Sequence, residues 1–331
     1  MNKDIWVYME PIEGKISDLS LEMLGEAFKL QNKMKAPGKV IAFVLGDNPE
    51  ETINEVSEYG VDKIYIANHP KLAIYQPEYY SQVFAKQIAK EDPHIILIGA
   101  SAVGTQLAPT IGGKVRAGVA AHCIELKLDE EDNMISVVPA FGGKVLGDIL
   151  WPTSRPQMAS VKAGIFEKAE KKAFTGEKVD LDISFLDSLE SSLKPVSVCR
   201  EPVKGVPLET AEVVICGGWG VGDQEHWTML EKLAERLGGA ISCTRPPIDE
   251  GWAPGEHMMI GTSGKSIKPK FYLGFGISGA THHVCGMKDS GLIISVNKDE
   301  NAEMFSASDY AIVADVKKIV PALCEALGVE K

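Results

Sequence analysis

Read for its alternation of apolar and polar positions, the first half of the chain repeats a strand-then-helix unit. "IWVYME" is a first strand, and "LSLEMLGEAFKLQNKM" places apolar residues at helical spacing. "KVIAFVLG" is a continuous apolar run ended by Gly46, the pattern of a strand buried on both faces. "PEETINEVSEYG" predicts a short helix closed by glycine, "DKIYIANH" a strand, "YYSQVFAKQIAKED" a helix and "PHIILIGAS" a further strand. "GTQLAPTIGGKV" predicts a helix that Pro109 starts or interrupts. The alternation implies a mainly parallel sheet with helices on both faces.

The rhythm then changes. "AAHCIELKLDEEDNMISVVPAFGGKVLGDILWP" reads as paired strands with acidic and glycine turns, and "RPQMASVKAGIF" as one more strand. Residues 167–200 are polar and weakly periodic, an extended connector with one or two edge strands. A second βα series starts at "AEVVICGGWGVGDQEHWTMLEKLAERLGG", where a strand enters a Gly-rich loop and then a helix with Trp227, Leu230, Ala234 and Leu237 on its apolar face. The strands "FYLGFGIS", "GLIISVNKD" and "YAIVAD" and the amphipathic helix "VKKIVPALCEAL" complete it. The expected fold is α/β in two domains. Residues 1–205 form an N-terminal, mainly parallel sheet with an antiparallel extension, and 206–331 a doubly wound domain.

A length of 331 residues suffices for two cores, and a 45% apolar and 24% charged composition is that of a globular protein. The net charge of -12 argues against a nucleic-acid or anionic-membrane binder, since phosphate contacts need clustered Lys and Arg. No basic segment followed by an apolar one opens the chain, and no apolar run is long enough to span a bilayer. The six cysteines are dispersed without a CxxC pair and are expected to be reduced. The cytoplasm is the expected location, with no direct membrane insertion.

The stretch "GISGATHHVCGMKDSG", residues 276–291, concentrates glycines, two histidines and a cysteine. A metal site, a nucleophile with its base, and a backbone cradle for a large ligand are the three chemistries to weigh. Adjacent His282 and His283 diverge on any regular element, and no second ligand cluster has finger or HExxH spacing. "GISGA" lacks the nucleophile-elbow spacing, and Cys285 is not paired with a histidine by sequence proximity alone. The cradle explains more. "GGWGVG" at 217–222 lies between a strand and a helix, where glycine lets the backbone approach a pyrophosphate and the helix N-terminus favours negative charge. "GTSGK" and "GISGATHH" follow at the ends of predicted strands and supply N–H groups and hydroxyls without bulk.

With those loops in hand, the block from "GFGISGATHH" to "DVKKIVPAL" resembles the C-terminal signature of the electron-transfer flavoprotein α subunit. "GGWGVG", "TRPPIDEGW" and "GTSGK" fall in the family's order, and "LIGASAVGTQLAP" resembles its first domain, so the likeness covers the whole chain. The resemblance implies a heterodimer with a β subunit and one FAD held mainly by residues 206–331. It implies that Arg245 lies against the isoalloxazine and stabilises negative charge on reduction, with Thr244 beside it. Gly261, Thr262, Ser263 and Gly264 would form the loop near the flavin N5, with Ser263 keeping a hydroxyl where the family commonly has Gln-Thr at 262–263. Gly276, Ser278, Gly279, Ala280, Thr281, His282 and His283 would wrap the pyrophosphate and pyrimidine edge. His283 would stand as an imidazolium near the C2 carbonyl, and His282 replaces a residue that is often glutamine. Asn297 and Asp315 would contact the adenosine side, and Asp315 suits a helix N-cap equally well. Trp219 stands where the family often has arginine. Redox tuning is thereby assigned to Arg245, Ser263 and His283, with no catalytic residue in the covalent sense and no metal.

The implied partners are the β subunit, carrying a second FAD or AMP, and a flavin dehydrogenase of the acyl-CoA or 2-hydroxy-acid type. A simple carrier delivers electrons to a quinone reductase. A bifurcating form also uses NADH and ferredoxin through the β subunit, and the departures at Trp219, Thr262 and His282 lean toward it. A different class remains open. The first domain resembles adenine-nucleotide-hydrolase-like folds, and a non-redox nucleotide-binding module would bind ATP or AMP without colour.

Overall fold

The computed structural model describes residues 2–12, 14–140, 145–172, 176–198, 205–208 and 210–329. Contacts divide the chain into two compact units, Met1–Val198 and Cys199–Lys331. The division falls beside residues 199–204, Cys199 among them, which lie outside the described residues.

The first unit opens with β1 (Ile5–Tyr8), a hairpin of β2 (Pro11–Ile12) and β3 (Lys15–Ile16), α1 (Asp18–Lys33), β4 (Val40–Gly46) and α2 (Glu50–Val56). It continues through β5 (Lys63–Asn68), α3 (Pro77–Glu91), β6 (Ile95–Gly99), α4 (Ala102–Val115) and β7 (Val119–Cys123). Then come β8 (Glu125–Leu128), β9 (Met134–Ala140), β10 (Val145–Ile149), β11 (Gln157–Val161) and β12 (Glu177–Asp180). A seven-stranded sheet has the order β12-β5-β4-β1-β6-β11-β7. All its pairings are parallel.

Period-two alternation decides which side each residue faces. Ile5, Val7, Val40, Ala42, Val44, Ile95 and Leu97 enter the core on one face. Trp6, Tyr8, Ile41, Phe43, Leu45, Ile96 and Ile98 enter the core on the other. Both faces are covered, so these strands read as unbroken apolar runs. Helix α1 is started by Ser17, whose hydroxyl accepts from the Ser20 N–H.

Two local expectations change. Pro109 neither starts nor interrupts its helix: α4 begins at the Ser101 cap and runs through it. The missing N–H removes a single intrahelical bond, while buried Leu107, Ala108 and Ile111 hold that face against the sheet. The paired strands also begin later than the apolar pattern suggests. Val119–Cys123 joins the parallel sheet beside β11, and a positive φ of 57° at His122 turns the chain out of it. Among the described residues, β8, β9 and β10 form the antiparallel extension. The polar connector contributes β12, the edge strand next to β5.

The second unit runs β13 (Val213–Gly217), α5 (Gln224–Arg236), β14 (Ala240–Cys243), α6 (Arg245–Asp249), β15 (Phe271–Phe275), α7 (Thr281–Val284), β16 (Leu292–Asn297), β17 (Tyr310–Val313) and α8 (Val316–Ala326). Its five parallel strands have the order β14-β13-β15-β16-β17. Trp227, Leu230 and Leu233 of α5 and Val316, Val320 and Cys324 of α8 cover one face against Ile215, Leu273 and Phe275. On the other face Val214, Cys216 and Tyr272 pack with Ile260, Ile267, Met287 and Met304. The chain leaves β13 to one side for β14 and to the other for β15, which makes the carboxyl ends of these strands a topological switch point. No helix among the described residues is long and apolar enough to cross a membrane.

Candidate functional site

At that switch point lies a cavity of about 970 Å³, at the upper end of the range for small-molecule and cofactor sites. Its wall is built from the segments that leave the strands. Trp219 and Gly220 follow β13, Thr244 and Arg245 follow β14, Gly276 to Ser278 follow β15, and Asn297 to Asp299 end and follow β16. The 259–264 loop closes another side.

Of the residues the resemblance nominated, Thr244, Arg245, Gly261, Thr262, Ser263, Gly264, Gly276, Ser278, Ala280, His282, His283 and Asn297 line this cavity. Gly279, Thr281 and Asp315 are not on its wall. Gly279 acts one layer back: its φ is 91°, and a Cβ there would lie 1.9 Å from the Met304 N. Asp315 caps α8, its carboxylate accepting from the Lys317 N–H at 3.0 Å.

The backbone between β15 and α7 supplies the feature best suited to a ligand. None of the N–H groups from Ile277 to His282 has a hydrogen-bond partner among the described residues. Backbone donors are seldom left unpaired, and a succession of them forms a concave anion site. Such a row fits a pyrophosphate. Asn297 braces it from behind, donating through Nδ2 to the Ile277 carbonyl at 2.8 Å.

The glycines of "GGWGVG" do different work from that expected. A Cβ on Gly218 would meet the Gly276 O at 2.4 Å, and one on Gly220 the Gly276 Cα at 2.7 Å. Their smallness is spent on close approach of two loops. The α5 N-terminus beyond them is already occupied by Asp223, which accepts from the His226 N–H and the Lys317 ammonium. The lysine, then the His226 bonds, hold this carboxylate far below its ordinary range. Asp223 thus satisfies one N–H of the first turn of α5, while the longer run of unpartnered donors lies at 277–282.

Arg245 opens α6 on the cavity wall, with its side chain 56% exposed. Its Nε donates to Asp249 at 2.8 Å and its Nη1 to Glu256 at 2.7 Å. Both bonds hold it charged and aimed. Trp219 is 67% exposed on the rim, its indole N–H donating to Glu250 at 3.4 Å. The Ser263 hydroxyl has no partner among the described residues.

His283 departs from the imidazolium expected of it. Its ring is buried, with Nε2 2.8 Å from the Tyr272 hydroxyl and Nδ1 3.1 Å from the Ile260 carbonyl. Burial pushes its pKa down to about 4, against a weaker opposing effect of the Ile260 bond. A neutral ring with both nitrogens used inside the protein supplies no positive charge to a ligand. His282, the adjacent residue, faces the cavity and bonds Thr262 instead.

Among the described residues no group of three His, Cys, Asp or Glu side chains is placed to hold a metal. Cys285 directs its thiol to the His282 carbonyl at 3.2 Å and not to an imidazole. Pattern reading missed Met259, Ile260, Lys298, Asp299, Asn301 and Glu303, which also line the cavity. The one signal for the polar members among them is their position directly after the strand "LIISVN".

A parallel domain with a large switch-point cavity, a row of free N–H groups and a guanidinium on its wall is a dinucleotide-cofactor domain of flavoprotein type. The chain belongs to the electron-transfer flavoprotein α-subunit family. Residues 5–185 match the electron transfer flavoprotein domain, and residues 207–288 match the electron transfer flavoprotein FAD-binding domain. It is 34% identical to the electron transfer flavoprotein subunit alpha of Thermoanaerobacterium thermosaccharolyticum, over 98% of this chain and 97% of that one. It is also 34% identical to the acryloyl-CoA reductase electron transfer subunit beta of Anaerotignum propionicum, over 98% and 95% of the two chains. The LctC subunit of the lactate dehydrogenase (NAD(+),ferredoxin) of Acetobacterium woodii is 33% identical, over 97% of this chain and 76% of that relative.

Proposed function

We propose that this chain is the FAD-holding α subunit of a heterodimeric electron-transfer flavoprotein. With its β subunit it takes electron pairs from NADH and splits them by electron bifurcation, one electron going to ferredoxin and the other to a higher-potential acceptor through a flavin dehydrogenase of the acyl-CoA or 2-hydroxy-acid type. The observation that carries the FAD reading is the run of unpartnered N–H groups from Ile277 to His282, of which Ile277, Ser278, Ala280 and His282 line a switch-point cavity. They would hold the pyrophosphate, while Arg245 and Ser263 would face the ring. The bound flavin supplies the redox chemistry, and the protein orients it, excludes water and biases its charge.

The bifurcating form is supported by two considerations. Trp219, Thr262 and His282, the departures from the common family pattern, all line the cavity. Two relatives, matched over 98% and 97% of this chain, carry names that join them to acryloyl-CoA reductase and to NAD(+) and ferredoxin. The testing experiment is the cofactor content of this chain purified with its β subunit. Two FAD per heterodimer, with NADH-dependent ferredoxin reduction that requires both the dehydrogenase and its oxidised substrate as the second acceptor, is the expected result. One FAD with AMP in the β subunit would make the complex a simple carrier to a quinone reductase. A colourless complex that binds ATP or AMP would favour the non-redox nucleotide-binding module.

A further inference from the structure

The departures at Thr262 and His282 touch each other. Thr262 Oγ1 lies 2.8 Å from His282 Nδ1, and the Thr262 N–H donates to the His282 carbonyl at 2.8 Å. That carbonyl also takes the Cys285 thiol at 3.2 Å, so both of its lone pairs are used. The Thr262 hydroxyl, 3.2 Å from the same oxygen, is left with Nδ1 as the better acceptor for its proton. A ring that accepts at Nδ1 carries its own proton on Nε2. Nε2 of His282 has no partner among the described residues, and the residue lines the cavity.

We infer that Thr262 and His282 form one positioning pair, in which the threonine hydroxyl sets the tautomer and His282 presents an Nε2–H donor to a carbonyl oxygen of the planar heterocycle bound in the cavity. This role passes to His282 because His283, to which the family resemblance gave it, has both nitrogens bonded in the core. The inference rests on the FAD reading above. A donor at a carbonyl of the ring favours whichever redox form carries more negative charge there, so the pair raises the potential of the bound flavin. No bond is made or broken by the pair.

The test uses the full chain co-purified with its β subunit, first for FAD content and then by redox titration. His282→Ala and Thr262→Val are each expected to lower the potential, corresponding to about a tenfold loss in preference for the reduced flavin, the scale of one hydrogen bond. Thr262→Ser is expected to titrate as the wild type does. In the double variant the potential falls no further than in His282→Ala alone, because the threonine acts only through the histidine. If His282→Ala does not fold, His282→Phe keeps a ring without the donor and reads the same shift. Full FAD content with unchanged potentials, or additive shifts in the double variant, would overturn the pair and leave the FAD reading intact. A wild-type complex without FAD would defeat both.

Discussion

Tyr272 Oη donates to His283 Nε2 at 2.8 Å while His283 Nδ1 donates to the Ile260 carbonyl at 3.1 Å, and together these bonds define one uncharged tautomer. Tyr272 suits the task, since burial raises its own pKa well above the ordinary value and keeps it a donor.

The buried imidazole makes stability depend on pH. Its folded pKa of about 4 is below the ordinary 6.5, so the unfolded chain takes up a proton that the folded chain refuses. The contribution is full above about pH 6.5 and is lost as pH falls toward 4, by on the order of 3 kcal/mol in total. Denaturant titrations at pH 7.5 and pH 5 are expected to show roughly 2 kcal/mol of this loss in the wild type. His283→Asn should lack that component. Identical pH profiles for the two proteins would mean that the folded imidazole is charged.

Arg245 and Asp249 should move the flavin in opposite directions. Arg245→Ala removes the cation from the cavity wall and leaves two carboxylates unpaired, so the potential falls and FAD is held less tightly. Asp249→Asn removes an anion beside the same guanidinium, so the potential rises. Both side chains are exposed, and thermal unfolding should change little in either variant. Redox titration with a parallel melt checks the pair, and no shift in either variant would take the guanidinium away from the ring.

Two Gly→Ala exchanges are expected to have opposite signs. Gly276 has a φ of 63°, and a Cβ there would sit 2.5 Å from the Gly220 carbonyl carbon. Gly276→Ala should therefore cost about 2 kcal/mol or more and empty the flavin site. Gly113 lies inside α4 with nothing within 4 Å of its virtual Cβ. Gly113→Ala should stabilise by about 0.5–1 kcal/mol, with flavin content unchanged. Chemical denaturation and flavin absorbance measure both.

Asp315 is expected to act as a cap. Asp315→Ala should cost about 1 kcal/mol, and Asp315→Ser, which can still accept from the Lys317 N–H, should recover most of it and retain FAD. A stable Asp315→Ser complex that loses FAD would return this residue to the adenosine side of the ligand.

The strands were legible because both sheets are covered on two faces, which turns segments such as Val40–Leu45 into unbroken apolar runs. Their order was not. β11 inserts between β6 and β7 after an antiparallel excursion, and periodicity carries no record of which neighbour a strand chooses. The loops of the site were legible from glycines at strand ends. The function of those glycines was not, because a residue without a side chain looks the same whether a ligand or another loop lies against it. The two histidines show the limit most plainly. In a Gly-rich polar stretch they read alike, and only the hydroxyl of Tyr272, supplied from a neighbouring strand, draws His283 inward and leaves His282 to the cavity.

The contact between Gly220 and Gly276 separates what can vary in this domain from what cannot. Gly218, Gly220, Gly261, Gly276 and Gly279 admit no methyl group without displacing backbone. Trp219, Thr262 and His282 line the same cavity, and none belongs to the buried core of the sheet. A clasp of glycines thus frames a few interchangeable side chains. Exchanges at those positions are therefore expected to change the chemistry facing the cavity while leaving the backbone that shapes it in place.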